Sequence, residues 1–281
     1  MWHPFAAMTN RPCLITLLAL LLLPLAGCPD DGGTLPADDD DSTAVGDDDD
    51  TTEDITPTSP APITLTTSDG LDLRGTFQPA AGVSFGPAVV MLHELGGTRQ
   101  DFSSAWDNFQ DAGISTLAFD FRGHGQSDDG TVALADLRTT PDQLELDLRA
   151  ALDYLVDQAV VDPDKVGIIG LDVGANLAVI ARDDTAAWGI ASIVAMSPDL
   201  AGIEALGGLS SADLVLSNAQ YVAGANNATD AADAQALYDL TTDPRDLRLI
   251  KQVSGHGADL LTGSPDAQAG VAAWFATRFS E

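Results

Sequence analysis

The feature that most constrains this chain is a set of short, unbroken apolar runs separated by stretches with helical spacing. The runs at 87–93 (PAVVMLH), 165–170 (KVGIIG) and 190–196 (IASIVAM) offer almost no polar face. A strand of that kind must be covered on both sides, as in a parallel sheet between two helical layers. Between them, Leu144, Leu148, Ala151, Leu152 and Leu155 form one helical stripe within 141–158. An antiparallel pair is expected at 63–67 and 71–77, around the turn Ser68-Asp69-Gly70, with further strands at 115–121, 212–217 and 246–253. Helices are expected near 99–111, 173–182, 230–240 and 265–279. The alternation predicts an α/β fold: a mostly parallel central sheet, helices on both faces, and ligands at the C-terminal ends of the strands.

The first 62 residues do not share this pattern. Arg11 precedes an apolar run at 13–26 that is too short to span a bilayer and suits the core of a secretory signal. It ends in Leu25-Ala26-Gly27-Cys28, which resembles the bacterial lipobox. That resemblance implies a signal peptide over 1–27 and a lipid on Cys28. It also implies a protein held at the cell envelope, periplasmic or surface-exposed, with membrane lipid as its partner. Residues 29–62 carry twelve acids and no base, including Asp38–Asp41 and Asp47–Asp50, and five prolines. Such a segment cannot bury enough apolar surface to fold, so 28–62 reads as an extended tether and 63–281 as the folded domain. With Cys13 in the signal and Cys28 at the lipid site, the domain has no thiol for a disulfide, a zinc site or a nucleophile.

The formal net charge is −31, with 43 Asp+Glu against 12 Lys+Arg. A field of that sign excludes nucleic-acid binding through phosphate neutralisation. No glycine-rich nucleotide loop follows a strand and no metal-ligand cluster is apparent, so neither cofactor nor metal is expected; an unidentified small molecule is the expected ligand.

Three loops fall at the predicted C-terminal strand ends: HELGG (93–97), FDFRGHGQSD (119–128) and GLDVGAN (170–176). Together with His256 in SGHGADLL, they resemble the α/β-hydrolase superfamily over 63–281, nearest to esterases of the dienelactone-hydrolase and serine-aminopeptidase type. That family places a serine nucleophile in a Gly-x-Ser-x-Gly elbow. Here the elbow is Gly170-Leu171-Asp172-Val173-Gly174, with Asp172 in the serine position. The resemblance makes His256 the catalytic histidine. It assigns the oxyanion donors to the Val173 amide and to Glu94–Leu95, and gives His93 and His124 bracing roles in the loops. For the third member, the acid that orients the histidine, Gln220 falls near the family position; Asp199, in a Pro-Asp turn, is the other candidate.

Two classes of function remain open on this reading. One is a hydrolase of small ester-type substrates with an atypical Asp172/His256 site. There Asp172 acts as a nucleophile, as in haloalkane dehalogenases and epoxide hydrolases, or as a general base for water. Against the nucleophile stand Val173 in place of the Trp of those enzymes and a stretch between the strands at 190–196 and 212–217 too short for their helical cap. For the general base, Glu94 beside Asp172 would split two carboxylate pKa values, Glu94 upward and Asp172 downward. The other class is a hydrolase fold without chemistry, serving as a binding or scaffold lipoprotein, with Asp172 tolerated as a cap for the following helix.

Overall fold

A computed structural model describes residues 60–281, apart from 141, 185–187, 209 and 252–254. The apolar run at 13–26, Cys28 and both Asp runs lie outside the described residues. The apolar run at 87–93 becomes β3 (Gly86–Leu92), which has parallel neighbours on both sides, β4 (Ser115–Phe119) and β5 (Val161–Leu171). Outside β4 lie the antiparallel strands β1 (Ala61–Thr66) and β2 (Asp72–Gln78). On the other side follow β6 (Ser192–Met196), β7 (Leu216–Gly224) and β8 (Thr241–Ile250), all parallel. The order is β1-β2-β4-β3-β5-β6-β7-β8. The chain leaves β3 toward opposite edges for β4 and β5, which opens a crevice where those strands end.

Alternate residues of β3 feed two separate cores. Val90 and Leu92 pack with Leu148 of α2 (Gln143–Val156) and Leu177 of α3 (Val173–Arg182). Two later helices, α4 (Leu200–Gly207) and α5 (Ala228–Leu240), join that face through Ile203 and Leu237. Val89 and Met91 face the other layer, meeting Phe109 of α1 (Trp106–Asp111), Leu260 of α6 (Ala258–Thr262) and Phe275 of α7 (Pro265–Phe279). The period-two pleat therefore divides one apolar run between two helical layers. Local signals set the helix starts. Ser264 accepts from the Ala267 amide and Pro265 follows it at the first helical position, so α7 begins there.

The expected strand at 212–217 is displaced. Residues Ser211–Asp213 form a turn of 3-10 helix, and β7 runs from Leu216 to Gly224. The expectation stopped at the polar pair Asn218 and Gln220. Inside the sheet only their amide nitrogens are paired: the Asn218 amide donates to the Ala191 carbonyl (2.7 Å) and the Gln220 amide to Asp246 (2.7 Å). This places Gln220 in mid-strand and fully buried, not in a loop beyond it. The short helices α4 and α6 were not legible as separate elements. The helix expected at 99–111 divides into a 3-10 turn, Arg99–Phe102, and α1 from Trp106; the other strands and helices fall within a few residues of their expected places, except that β5 and β8 begin four to five residues earlier.

Arg122, in the segment RGHG, is the largest fully buried side chain. Its Nε and Nη2 donate to Asp147 at 2.9 and 2.7 Å, and its Nη1 donates to Asp69 and Gln143, both at 2.9 Å. This ties the loop after β4 to α2 and to the β1–β2 turn. Removing one partner strands a buried charge, so Arg122→Met is expected to cost about 3–5 kcal/mol in urea unfolding. Arg122→Met with Asp147→Leu should recover part of that loss.

Candidate functional site

Asp172 occupies the turn from β5 into α3 with φ 52° and ψ −113°, a left-handed conformation that non-glycine residues rarely hold. A Cβ on Gly170 would lie 2.1 Å from the Gly174 carbonyl oxygen, and one on Gly174 would lie 2.2 Å from the Leu92 carbonyl oxygen. Only glycine fits at either position, and the turn lifts Asp172 above the end of the sheet.

The Asp172 side chain is 4% exposed and surrounded by donors. Arg138 makes a two-pronged pair with it, Nη1 to Oδ1 and Nη2 to Oδ2, each 2.6 Å. His256 Nε2 lies 3.2 Å from Oδ1, and the Leu95 amide donates to Oδ2 at 3.4 Å. On its other side, His256 Nδ1 lies 2.7 Å from Asp230 Oδ2. Asp230 stands in the first turn of α5, where its own amide donates to the capping side chain of Asn227. The histidine is thus held between two carboxylates. Its loop is fastened as well: the Gly257 amide donates to Ser197 Oγ (3.0 Å) and the Ala258 amide to Glu94 Oε2 (3.0 Å).

These contacts set the charges. Burial alone would raise the Asp172 pKa, but the hydrogen bonds from His256 and Arg138 outweigh it and hold the carboxyl well below the usual range. His256 is pushed up to about 9, chiefly by its bond to Asp172 and then, against the effect of burial, by Asp230. Glu94 moves upward through burial first, with Asp101 and Asp172 adding to it. The opposite shifts of Glu94 and Asp172 are those expected from the sequence. At neutral pH the centre is an ionised Asp172 beside two cations.

The sequence-predicted residues are not all brought to this centre. Asp172, His256 and the Leu95 amide meet directly, and Glu94 reaches the histidine loop. The backbone of Val173 also supports the Asp172 carboxylate. Asp199 instead caps α4, accepting from the Ala201 amide at 3.1 Å. Gln220 is committed to Asp246 within the sheet. Neither orients His256; Asp230 does. Nor does the Asp172 side chain cap α3, since it is turned toward Arg138 and His256. His124 braces the loops as expected, its Nε2 accepting from the Gly96 amide at 3.0 Å. His93 is fully buried and held neutral, its pKa lowered to about 4 by burial; its Nε2 accepts from the Phe121 amide at 2.9 Å.

Asp230 was missed because the strand before it was placed too early. With β7 ending at Gly224, Asp230 is the first acid after the strand. Arg138 had no sequence signal: it is an isolated base in an irregular loop.

A family model described as the alpha/beta hydrolase family matches residues 89–279. The chain belongs to the α/β-hydrolase family. The matched region includes Arg138, Asp172, Asp230 and His256. Among solved structures, the fold resembles a Pyrococcus furiosus esterase (TM-score 0.62, 18% identity), covering 80% of this chain and 92% of that one. It also resembles a dienelactone hydrolase from Anabaena variabilis (TM-score 0.55, 18% identity), covering 79% and 97%. Curated relatives include a quorum-quenching protein of Acinetobacter baumannii, 34% identical over 115 residues, covering 40% of this chain and 35% of that one. A thiohydrolase of Aspergillus aculeatus is 32% identical over 114 residues, covering 40% and 34%. An uncharacterized protein of Mycobacterium tuberculosis is 31% identical over 117 residues, covering 42% and 39%. These alignments span well under half the length of the curated relatives. The elbow of this chain carries a carboxylate, Asp172, with Arg138 across it.

The raised His256 pKa has a definite sign. A group whose pKa is higher when folded stabilises the fold fully below its unfolded value near 6.5, and loses that contribution as pH rises through about 9. The His256 Cε1–H resonance should therefore titrate near 9, and Asp230→Asn should move the midpoint toward 6.5. A wild-type midpoint at 6.5 would show that neither carboxylate engages the ring.

Proposed function

We propose that this chain is a hydrolase of the cell envelope in which the carboxylate of Asp172 makes the bond to substrate. The observation that carries this reading is the histidine held at both ends, Nε2 on Asp172 and Nδ1 on Asp230. Similarity to proteins named as an esterase and a thiohydrolase supports hydrolysis as the class. The general-base alternative is disfavoured, because a carboxyl held so far below its ordinary pKa accepts a proton from water poorly. Attack on an ordinary acyl carbon is also disfavoured, because the mixed anhydride would revert. A carboxylate nucleophile suits instead a saturated carbon bearing a leaving group, as in activated alkyl esters, haloalkanes and epoxides.

In the first step Arg138 releases Asp172, Oδ1 bonds to the carbon, and the leaving group departs with the electron pair of its bond. Asp172 becomes a neutral ester, so the main interaction raising the His256 pKa is gone, and the imidazolium gives its proton to the leaving group or to solvent. Neutral His256, aligned by Asp230, then takes a proton from water as the oxygen attacks the Asp172 carboxyl carbon. The negative charge develops on Oδ2, which faces the Leu95 amide, where such donors are worth about 10²–10³-fold in rate. Collapse breaks the acyl–oxygen bond, His256 gives its proton to the departing alcohol oxygen, and the new Asp172 carboxyl, held well below its ordinary pKa, passes its remaining proton to His256. Ionised Asp172 and charged His256 are regenerated.

Turnover in H₂¹⁸O should leave ¹⁸O in the peptide containing Asp172. His256→Gln should arrest the enzyme with that peptide heavier by the alkyl group, detected by mass spectrometry. A second reading, a binding or scaffold protein without chemistry, is favoured by Arg138, whose two prongs engage both oxygens of Asp172. It predicts no product and no label from wild type on any of the three substrate types. It also predicts that Asp172→Ser alone cleaves short activated esters, since Asp230 already supplies the acid.

We read Cys28 as the lipid-bearing anchor, with residues 29–62 as tether. The full chain should partition into detergent, and Cys28→Ser should move it to the aqueous phase. A wild-type chain found in the aqueous phase would remove the anchor.

A further inference from the structure

Arg138 projects from a mostly exposed stretch, 129–140, with the buried Leu137 beside it. Its guanidinium, one-third exposed, lies across the elbow carboxylate where any ligand of Asp172 must sit. The guanidinium has Asp172 in direct contact, and Asp199 and Glu94 also act on it electrostatically. Asp233 extends this acidic wall through its interactions with Asp199 and Asp230. Apart from Arg138, the cation at this centre is His256, whose charge already answers to Asp172 and Asp230.

If Arg138 swings out, it leaves a place shaped by a planar cation and faced by carboxylates. The folded part of the chain is itself strongly acidic, 31 acids against 11 bases over residues 63–281, so the surrounding field draws cations inward and repels anions. A ligand bearing a carboxylate would gain Arg138 but would face Glu94, Asp199 and Asp172 itself.

We infer that Asp172 and the carboxylates around it accept a ligand with a cationic head, a guanidinium or ammonium group, in the place that the Arg138 guanidinium takes. This rests on the site of the proposed reaction and concerns its regulation: a cation seated on both oxygens of Asp172, as Arg138 is, keeps the carboxylate from attacking carbon. The fork geometry of the Arg138 pair favours a planar guanidinium over a point-charge ammonium. A tethered competitor acts at an effective concentration in the millimolar range, so the wild-type protein should bind a small free cation only weakly. Freeing the place should tighten binding by at least about tenfold, because the binding-competent state no longer has to be populated by displacing Arg138.

The test uses the purified full chain and three small probes: ethylguanidinium, the neutral N-ethylurea, and acetate. Binding is read as movement of the His256 Cε1–H resonance and as heat in calorimetry. Ethylguanidinium in the millimolar range should bind wild type, and more tightly Arg138→Gln and Arg138→Gly; if the glycine variant does not fold, the glutamine one suffices. N-ethylurea and acetate should give no shift, Asp172→Asn should abolish ethylguanidinium binding, and added salt should weaken it. Acetate binding in place of ethylguanidinium would overturn the inference, and so would ethylguanidinium binding that is unchanged in both Arg138 variants. Cation binding without turnover on any substrate would support this inference while removing the proposed reaction. Turnover of neutral substrates without cation binding would overturn the inference and leave the reaction standing.

Discussion

A carboxylate almost wholly removed from water stays charged only if donors replace the solvent it has lost. Asp172 is supplied with them from three separate parts of the chain: Arg138 from the loop before α2, the Leu95 amide from the loop after β3, and His256 from the loop before α6. The local geometry of the C-terminal edge follows from that requirement. Breaking any one contact leaves the other donors holding a charge that is less well compensated, so the loops are coupled through a single side chain. The same bonds keep Asp172 ionised and His256 protonated at neutral pH.

The rigid part of this arrangement is inexpensive to explain. Gly170 and Gly174 permit the turn, and the sheet beneath it carries apolar residues into both layers. The histidine is positioned indirectly, by Ser197 and Glu94 acting on the amides that follow it. Glu94, expected among the reacting groups, is in this structure a fastener for the histidine loop. The less constrained member is Arg138, carried on a loop with little buried surface. In the proposed reaction, access to Asp172 requires Arg138 to leave both of its oxygens.

The relation between Asp172 and its surroundings also bears on how such a site departs from a serine elbow. An amide that would serve an acyl oxyanion already faces one carboxylate oxygen of Asp172. A carboxylate at this turn therefore carries with it an oxygen in the place where negative charge would develop. That arrangement suits hydrolysis of an ester formed on Asp172, and it equally suits a charge that is held and never used. The choice between them is a matter of how firmly Arg138 stays, which is an energetic property of one exposed loop.

The residues alone determined the layers of this protein. Unbroken apolar runs require a sheet covered on both faces, the Leu144–Leu155 stripe requires a helix, and glycines at 170 and 174 mark the tight turn that presents Asp172. These are short-range properties, legible because period and backbone sterics depend on near neighbours. Tertiary structure decided the partners. Gln220 reads as a loop residue until Asp246, on the next strand, accepts from its amide nitrogen inside the sheet, and that shift in β7 makes Asp230, not Asp199 or Gln220, the acid that meets His256. Arg138 reaches Asp172 across 34 positions of sequence with no motif to announce it. A long, flexible side chain carries no local signature of the carboxylate it will meet, because that pairing is set by which loops the sheet brings to the same edge.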